Sequence, residues 1–130
     1  MLVKGIEHVA VVAKDTVTLS KWYRETFGFI EVYNNKKEPP TIFLKAQDGM
    51  MIEFIGANEN PKASNDPKDL GWRHLCITVE DIDAGIQFLD EKEIKWIGEK
   101  KVSSSSGTKA RFFLDPEENI VHLIERPNPL

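Results

Sequence analysis

Short apolar runs closed by turn signals make up most of the chain, and two longer stretches switch from strand to helical spacing. Residues 6–12 (Ile-Glu-His-Val-Ala-Val-Val) are β-branched and short, which predicts a strand. Ile6, His8, Ala10 and Val12 fall on one face and Val9 and Val11 on the other, because side chains alternate across a strand. Asp15 or Thr16 then offers an N-cap, and Val17, Leu19, Trp22, Tyr23 and Phe27 recur at helical spacing up to Gly28. Three strands are expected next: 29–33, 41–46 with Gln47-Asp48-Gly49 as a hairpin turn, and 50–55. In the last of these Met51, Glu53 and Ile55 share one face, and Ile52 and Phe54 the other.

From Gly56 to Gly71 the composition shifts to Asn, Pro, Lys, Ser and Asp, which marks a connector. The plan then repeats. A strand is expected over 72–79, a helix from Asp81 carrying Ile82, Ile86 and Leu89, and strands over 94–97, 109–114 and 120–125. Ser103 to Gly107 is expected to be a mobile loop, free to close over a ligand. The repetition is also literal. Gly5, His8, Asp15 and Trp22 recur at one common offset as Gly71, His74, Asp81 and Phe88. At an offset three residues longer, Phe43-Leu44 aligns with Phe112-Phe113 and Ile52-Glu53-Phe54 with Val121-His122-Leu123. Internal repetition of this kind decides the architecture. The expected organisation is α+β, two βαβββ modules in tandem: module one 1–58, linker 59–70, module two 71–130.

Composition narrows the possible partners. A formal net charge of −4, with no basic stripe, argues against nucleic acid. No apolar run approaches the roughly 18 residues of a bilayer crossing, and no signal-peptide core opens the chain, so no membrane association is expected. The single cysteine, Cys76, allows no internal disulfide and fits a reducing, cytoplasmic setting.

The chemistry lies where the repeat falls. The chain has three histidines, His8, His74 and His122, and the first-half counterpart of His122 is Glu53. Repeat-equivalent positions are thus occupied by His, Glu, His and His, all residue types that ligate divalent transition metals. A single histidine on a strand is usually an ordinary core or interface side chain. Three histidines and a carboxylate on equivalent positions are much harder to attribute to chance. Glu53 and His122 each stand between two apolar residues, so each points away from the side its neighbours occupy. A solvent face is the plain alternative for Glu53, and a metal is one way to offset its burial.

With these motifs in view, the chain resembles the vicinal oxygen chelate superfamily of glyoxalase I, bleomycin-resistance proteins and extradiol dioxygenases. The resemblance rests on Gly5-Ile6-Glu7-His8-Val9 with Asp15, on residues 49–54, on His74 to Ile82, and on Asp115 to Leu123. It implies paired βαβββ modules whose mixed sheet curls into a cup with the helices outside. Metal ligands are implied on the first and fourth strand of each module, at His8, Glu53, His74 and His122. The implied cofactor is a divalent transition metal (Zn, Ni, Co, Fe or Mn), and the implied partners are a small-molecule substrate and a second copy of the chain in a homodimer.

The leading expectation is a lyase or isomerase of the glyoxalase I-like type. It works by bidentate chelation of a small oxygenated substrate and proton transfer through an enediolate-like intermediate, with Glu53 and His122 as proton acceptors. Arg111 is a candidate clamp for a substrate carboxylate or phosphate; Trp72, Phe43 and Met51 are candidates to line the cleft. The pattern departs from the family at two places. His122 stands where metal-dependent members usually carry Glu, and Glu118 stands where the turn usually has Gly, which suggests a local change of turn geometry. An extradiol-type Fe(II) dioxygenase and a non-catalytic drug- or metabolite-binding protein remain as alternatives.

Overall fold

A computed structural model describes residues 4–130 and divides the chain into two compact units, Met1–Pro61 and Lys62–Leu130. Each is βαβββ, as the repeat requires. Unit one contains β1 (His8–Ala13), α1 (Thr16–Phe27), β2 (Ile30–Asn34), β3 (Ile42–Lys45) and β4 (Met51–Gly56). Unit two contains β5 (Leu75–Thr78), α2 (Ile82–Asp90), β6 (Lys95–Val102), β7 (Lys109–Leu114) and β8 (Ile120–Glu125). Each unit has its own four-stranded mixed sheet, in the orders β1-β4-β3-β2 and β5-β8-β7-β6. The first strand pairs in parallel with the fourth, and the remaining pairs are antiparallel. Parallel strands need a crossover connection, and the helix is part of it.

Local chemistry sets the helix limits. Asp15 Oδ1 accepts a hydrogen bond from the Thr18 backbone N–H at 2.9 Å, an N-cap contributing about 1 kcal/mol. Gly28 ends α1 at φ 70° and donates its N–H to the Arg24 carbonyl. In unit two Asp81 caps α2 through the Asp83 and Ala84 amides. Glu125 Oε2 accepts from the Ile82 amide at 2.8 Å, tying the helix start to the end of β8.

The buried stripe of α1 is Thr16, Leu19, Ser20, Tyr23 and Thr26. It is rotated from the expected apolar stripe, leaving Val17 exposed. Two hydroxyls in this stripe find backbone acceptors: Thr16 donates to the Pro40 carbonyl at 2.8 Å and Ser20 to the Val17 carbonyl at 3.2 Å. Tyr23 meets Phe54 beneath it at 5.5 Å between ring centroids. Leu44, Ile52 and Phe54 complete this core, and Ile82, Leu89, Phe113, Val121 and Leu123 form its counterpart in unit two. Each fully buried large side chain contributes about 2–3 kcal/mol by removal from water.

Two expectations are corrected. The Ser103–Gly107 segment is a closed turn, with Ser103 N–H donating to the Thr108 carbonyl at 2.8 Å and Gly107 N–H to the Ser103 carbonyl at 2.9 Å. The β7–β8 turn keeps the left-handed conformation a glycine would supply, with Glu118 itself at φ 64°. The turn is held there by Asp115, whose Oδ1 accepts from the Glu117 and Asn119 amides, both at 2.9 Å. The connector also docks on this turn: Lys62 Nζ donates to the Glu117 carbonyl at 2.8 Å and Asn65 Nδ2 to that of Glu118 at 3.1 Å.

A left-handed non-glycine residue costs roughly 1–2 kcal/mol. Glycine would remove that cost while adding roughly 0.5–1 kcal/mol of unfolded-chain entropy. Glu118→Gly is therefore expected to stabilise the protein by up to about 1 kcal/mol, raising Tm by a few degrees. Glu118→Ala should give no gain. Equal melting temperatures for Glu118→Gly and Glu118→Ala in a calorimetric scan would show that the turn stores no such strain.

Candidate metal centre

The helix covers one face of each sheet and the chemistry stands on the other. In unit one Ile52 and Phe54 turn toward α1, so Glu53 between them faces away. The parallel register puts Ala10 opposite Glu53 and His8 opposite Met51. His8 and Ala10 share a face, which brings His8 Nε2 to 3.3 Å from Glu53 Oε2. In unit two Cys76 is opposite His122, and His74 precedes Cys76 by the same two residues. The His74 and His122 rings lie 4.7 Å apart between centroids, nearly perpendicular. Each fold unit thus forms one donor pair by the same register.

An aromatic side chain accompanies each pair. Phe43, opposite Glu53 on β3, meets the His8 ring edge-on at 5.2 Å. Phe112, opposite His122 on β7, meets His74 at 5.5 Å and stacks on His122 at 4.3 Å. Phe112 was not among the residues the sequence reading singled out, although the repeat offset pairs it with Phe43. Glu7 was also missed. Its Oε2 hydrogen-bonds His8 Nδ1, so both nitrogens of that imidazole face a carboxylate.

The two pairs differ in electrostatics. The Glu7 hydrogen bond, reinforced by the charges of Glu7 and Glu53, raises His8 above the ordinary histidine value. His122 is 8% exposed, and its burial, with smaller contributions from His74 and Arg126, lowers its pKa to about 4. It is therefore a neutral imidazole at pH 7, and its buried Nδ1 has no hydrogen-bond partner among the described residues. An unpartnered buried ring nitrogen is costly. Among the described residues no group of three or more His, Cys, Asp or Glu converges as a ready-made ligand set; the structure provides two pairs. The donor types in those pairs, imidazole and carboxylate, are ones that divalent transition metals take, and the imidazoles suit Mg or Ca poorly.

A cavity of about 510 Å³ lies beside the first pair, lined by Glu7, Tyr33, Phe43, Met51 and Glu53 among others. Phe43 and Met51 therefore line a cleft as anticipated, whereas Trp72 is 95% exposed. Arg111 is placed differently from its expected role. It is registered with Leu123 rather than His122, and its guanidinium stacks over Trp96 at 4.3 Å and donates to the Gly98 carbonyl at 3.3 Å. Strand alternation puts it on the face of β7 opposite Phe112 and His122. A clamp on a substrate held at His122 would need the other face.

Known proteins share this fold. The chain is 30% identical to a glyoxalase family protein from Enterococcus faecalis whose crystal structure superposes with a TM-score of 0.80, covering 96% of this chain and 100% of that one. It is 28% identical to the uncharacterised protein YwkD of Bacillus subtilis, over 97% of this chain and 100% of the relative. The fold is also that of a lactoylglutathione lyase from Agrobacterium tumefaciens, at 22% identity, a TM-score of 0.71 and 96% coverage of both chains. Residues 7–112 match the family model of the glyoxalase/bleomycin resistance protein/dioxygenase superfamily, and the chain belongs to that superfamily.

Proposed function

We propose that the protein is a metal-dependent lyase or isomerase of the glyoxalase I-like type, acting on a small oxygenated substrate. The observation that carries this reading is the repetition of one donor pair in both units, His8 with Glu53 and His74 with His122. His8 and Glu53 in unit one, and His74 and His122 in unit two, are the residues that would ligate a metal. When bound, a divalent transition metal supplies Lewis acidity toward adjacent substrate oxygens.

The chain's own residues supply the rest. Glu53 is half-buried, lies 3.3 Å from His8 Nε2 and lines the cavity together with Phe43 and Met51. It accepts the proton removed from the substrate carbon. His122, neutral and desolvated, is the second proton acceptor and takes the role that a carboxylate would otherwise have at this position. Phe112 stacks on the His122 ring and Phe43 packs edge-on against the His8 ring beside Glu53, which orients both imidazoles. A homodimer and a cytoplasmic location complete the reading. Among the described residues, no helix is long and apolar enough to cross a membrane.

Two measurements test this. The first is metal content together with thermal shift in Ni, Zn, Co and Mn. Saturation at about 100 Kd should add about 2.7 kcal/mol of stability. The loaded protein should isomerise a hemithioacetal, and Glu53→Gln should lower turnover by roughly 10²–10⁴-fold. Absence of both metal and any metal-induced rise in Tm would sink the enzyme reading and favour a binding protein. Oxygen uptake with catechols by the iron-loaded form would move it to a dioxygenase.

The second measurement concerns His122 in the metal-free protein. Its folded pKa, about 4, lies below the ordinary 6.5. The unfolded chain therefore binds a proton that the folded one excludes. The stabilisation from the neutral imidazole is complete above pH 6.5 and is lost as pH falls toward 4. The stability of wild type relative to His122→Gln should fall over that window, the contribution of His8 being common to both proteins. Parallel denaturation midpoints across the window would show that His122 is not desolvated.

A further inference from the structure

The repeat makes His8 and His74 equivalent in position, yet the residues before them differ in kind. Glu7 precedes His8 and Arg73 precedes His74. Arg73 turns away from its histidine and donates through Nη1 to the Ser64 and Asp66 carbonyls at 3.2 and 3.3 Å. Glu7 instead brings a carboxylate onto its histidine's Nδ1. A neutral imidazole carries one N–H and both nitrogens of this ring face a carboxylate; the Glu7 contact is the closer of the two, so the proton lies on Nδ1. Above the range in which imidazole is protonated, the remaining nitrogen, Nε2, then carries the lone pair. That is the nitrogen 3.3 Å from Glu53.

We propose that Glu7 is a positioning residue: its carboxylate holds His8 through Nδ1 and so presents the Nε2 lone pair beside Glu53 as one half of a donor pair. This rests on the metal-dependent reading above and adds a residue to it. Carboxylate–histidine contacts of this type fix the ring's tautomer and orientation, and losing them typically weakens metal binding about 10–100-fold. Neither His74 nor His122 has a carboxylate hydrogen-bonded to it among the described residues. The first pair is therefore the preorganised one.

Glu7 is largely exposed, so its truncation should leave the fold intact. Two readouts on wild type, Glu7→Ala and Glu7→Gln decide its role. One is the His8 tautomer in the metal-free protein, read from long-range ¹H–¹⁵N spectra at a pH well above the histidine range. Wild type should show the Nδ1–H form, Glu7→Ala a shift toward the Nε2–H form common in free imidazole, and Glu7→Gln an intermediate, because its amide oxygen still accepts. The other is Ni or Zn affinity by chelator competition, expected to fall about 10–100-fold in Glu7→Ala and less in Glu7→Gln. An unchanged His8 tautomer in Glu7→Ala, or unchanged metal affinity alongside a changed tautomer, would overturn the proposal. Wild type that binds neither metal would defeat the metal-dependent reading itself. The tautomer comparison would then still decide whether Glu7 positions His8.

Discussion

The parallel pairing of the first and fourth strands is the constraint on which the site depends. It fixes Ala10 opposite Glu53 and Cys76 opposite His122, and it places a histidine two residues earlier on the same face in both units. Side chains alternate strictly, so a slip of one residue would send Glu53 or His122 into the core under the helix and bring Phe54 or Leu123 out to the open face. The core and the site therefore enforce each other. Burying Phe54 against Tyr23 puts Glu53 on the opposite face of the sheet, where the pairing with β1 brings it to His8.

Much of this was legible in the sequence because period two and the internal repeat are both local signals. The offset linking Glu53 to His122 is present in the string, and so is the parity that puts each between two core residues. Parity also held the answer for Arg111, which shares its face with the fully buried Phe113. Proximity to the site along the chain suggested a clamp, and alternation decided against one. The stripe of α1 was less legible, since Thr16, Ser20 and Thr26 are buried and their hydroxyls give no hydropathy signal. Thr16 and Ser20 find backbone carbonyl partners, which only the folded chain reveals.

The turn and the loop were misread for a related reason. A non-glycine residue usually signals a different turn, but Asp115 gathers the Glu117 and Asn119 amides and holds Glu118 left-handed regardless. Serine-rich sequence usually signals mobility, but in the 103–108 hairpin the loop closes on its own backbone. Glu7 was overlooked because nothing periodic marks it. Its significance comes from a rotamer that turns it onto the adjacent ring.

The two repeats share a backbone plan and differ in the charge around it. The first pair stands among carboxylates, which stabilise the protonated form of His8; the second is desolvated, which keeps His122 neutral. On the proposed reading this division has a chemical consequence. A neutral imidazole at position 122 adds no charge to a bound divalent ion, whereas a carboxylate there would offset one of its two positive charges. More positive charge then remains to stabilise negative charge developing on substrate oxygen.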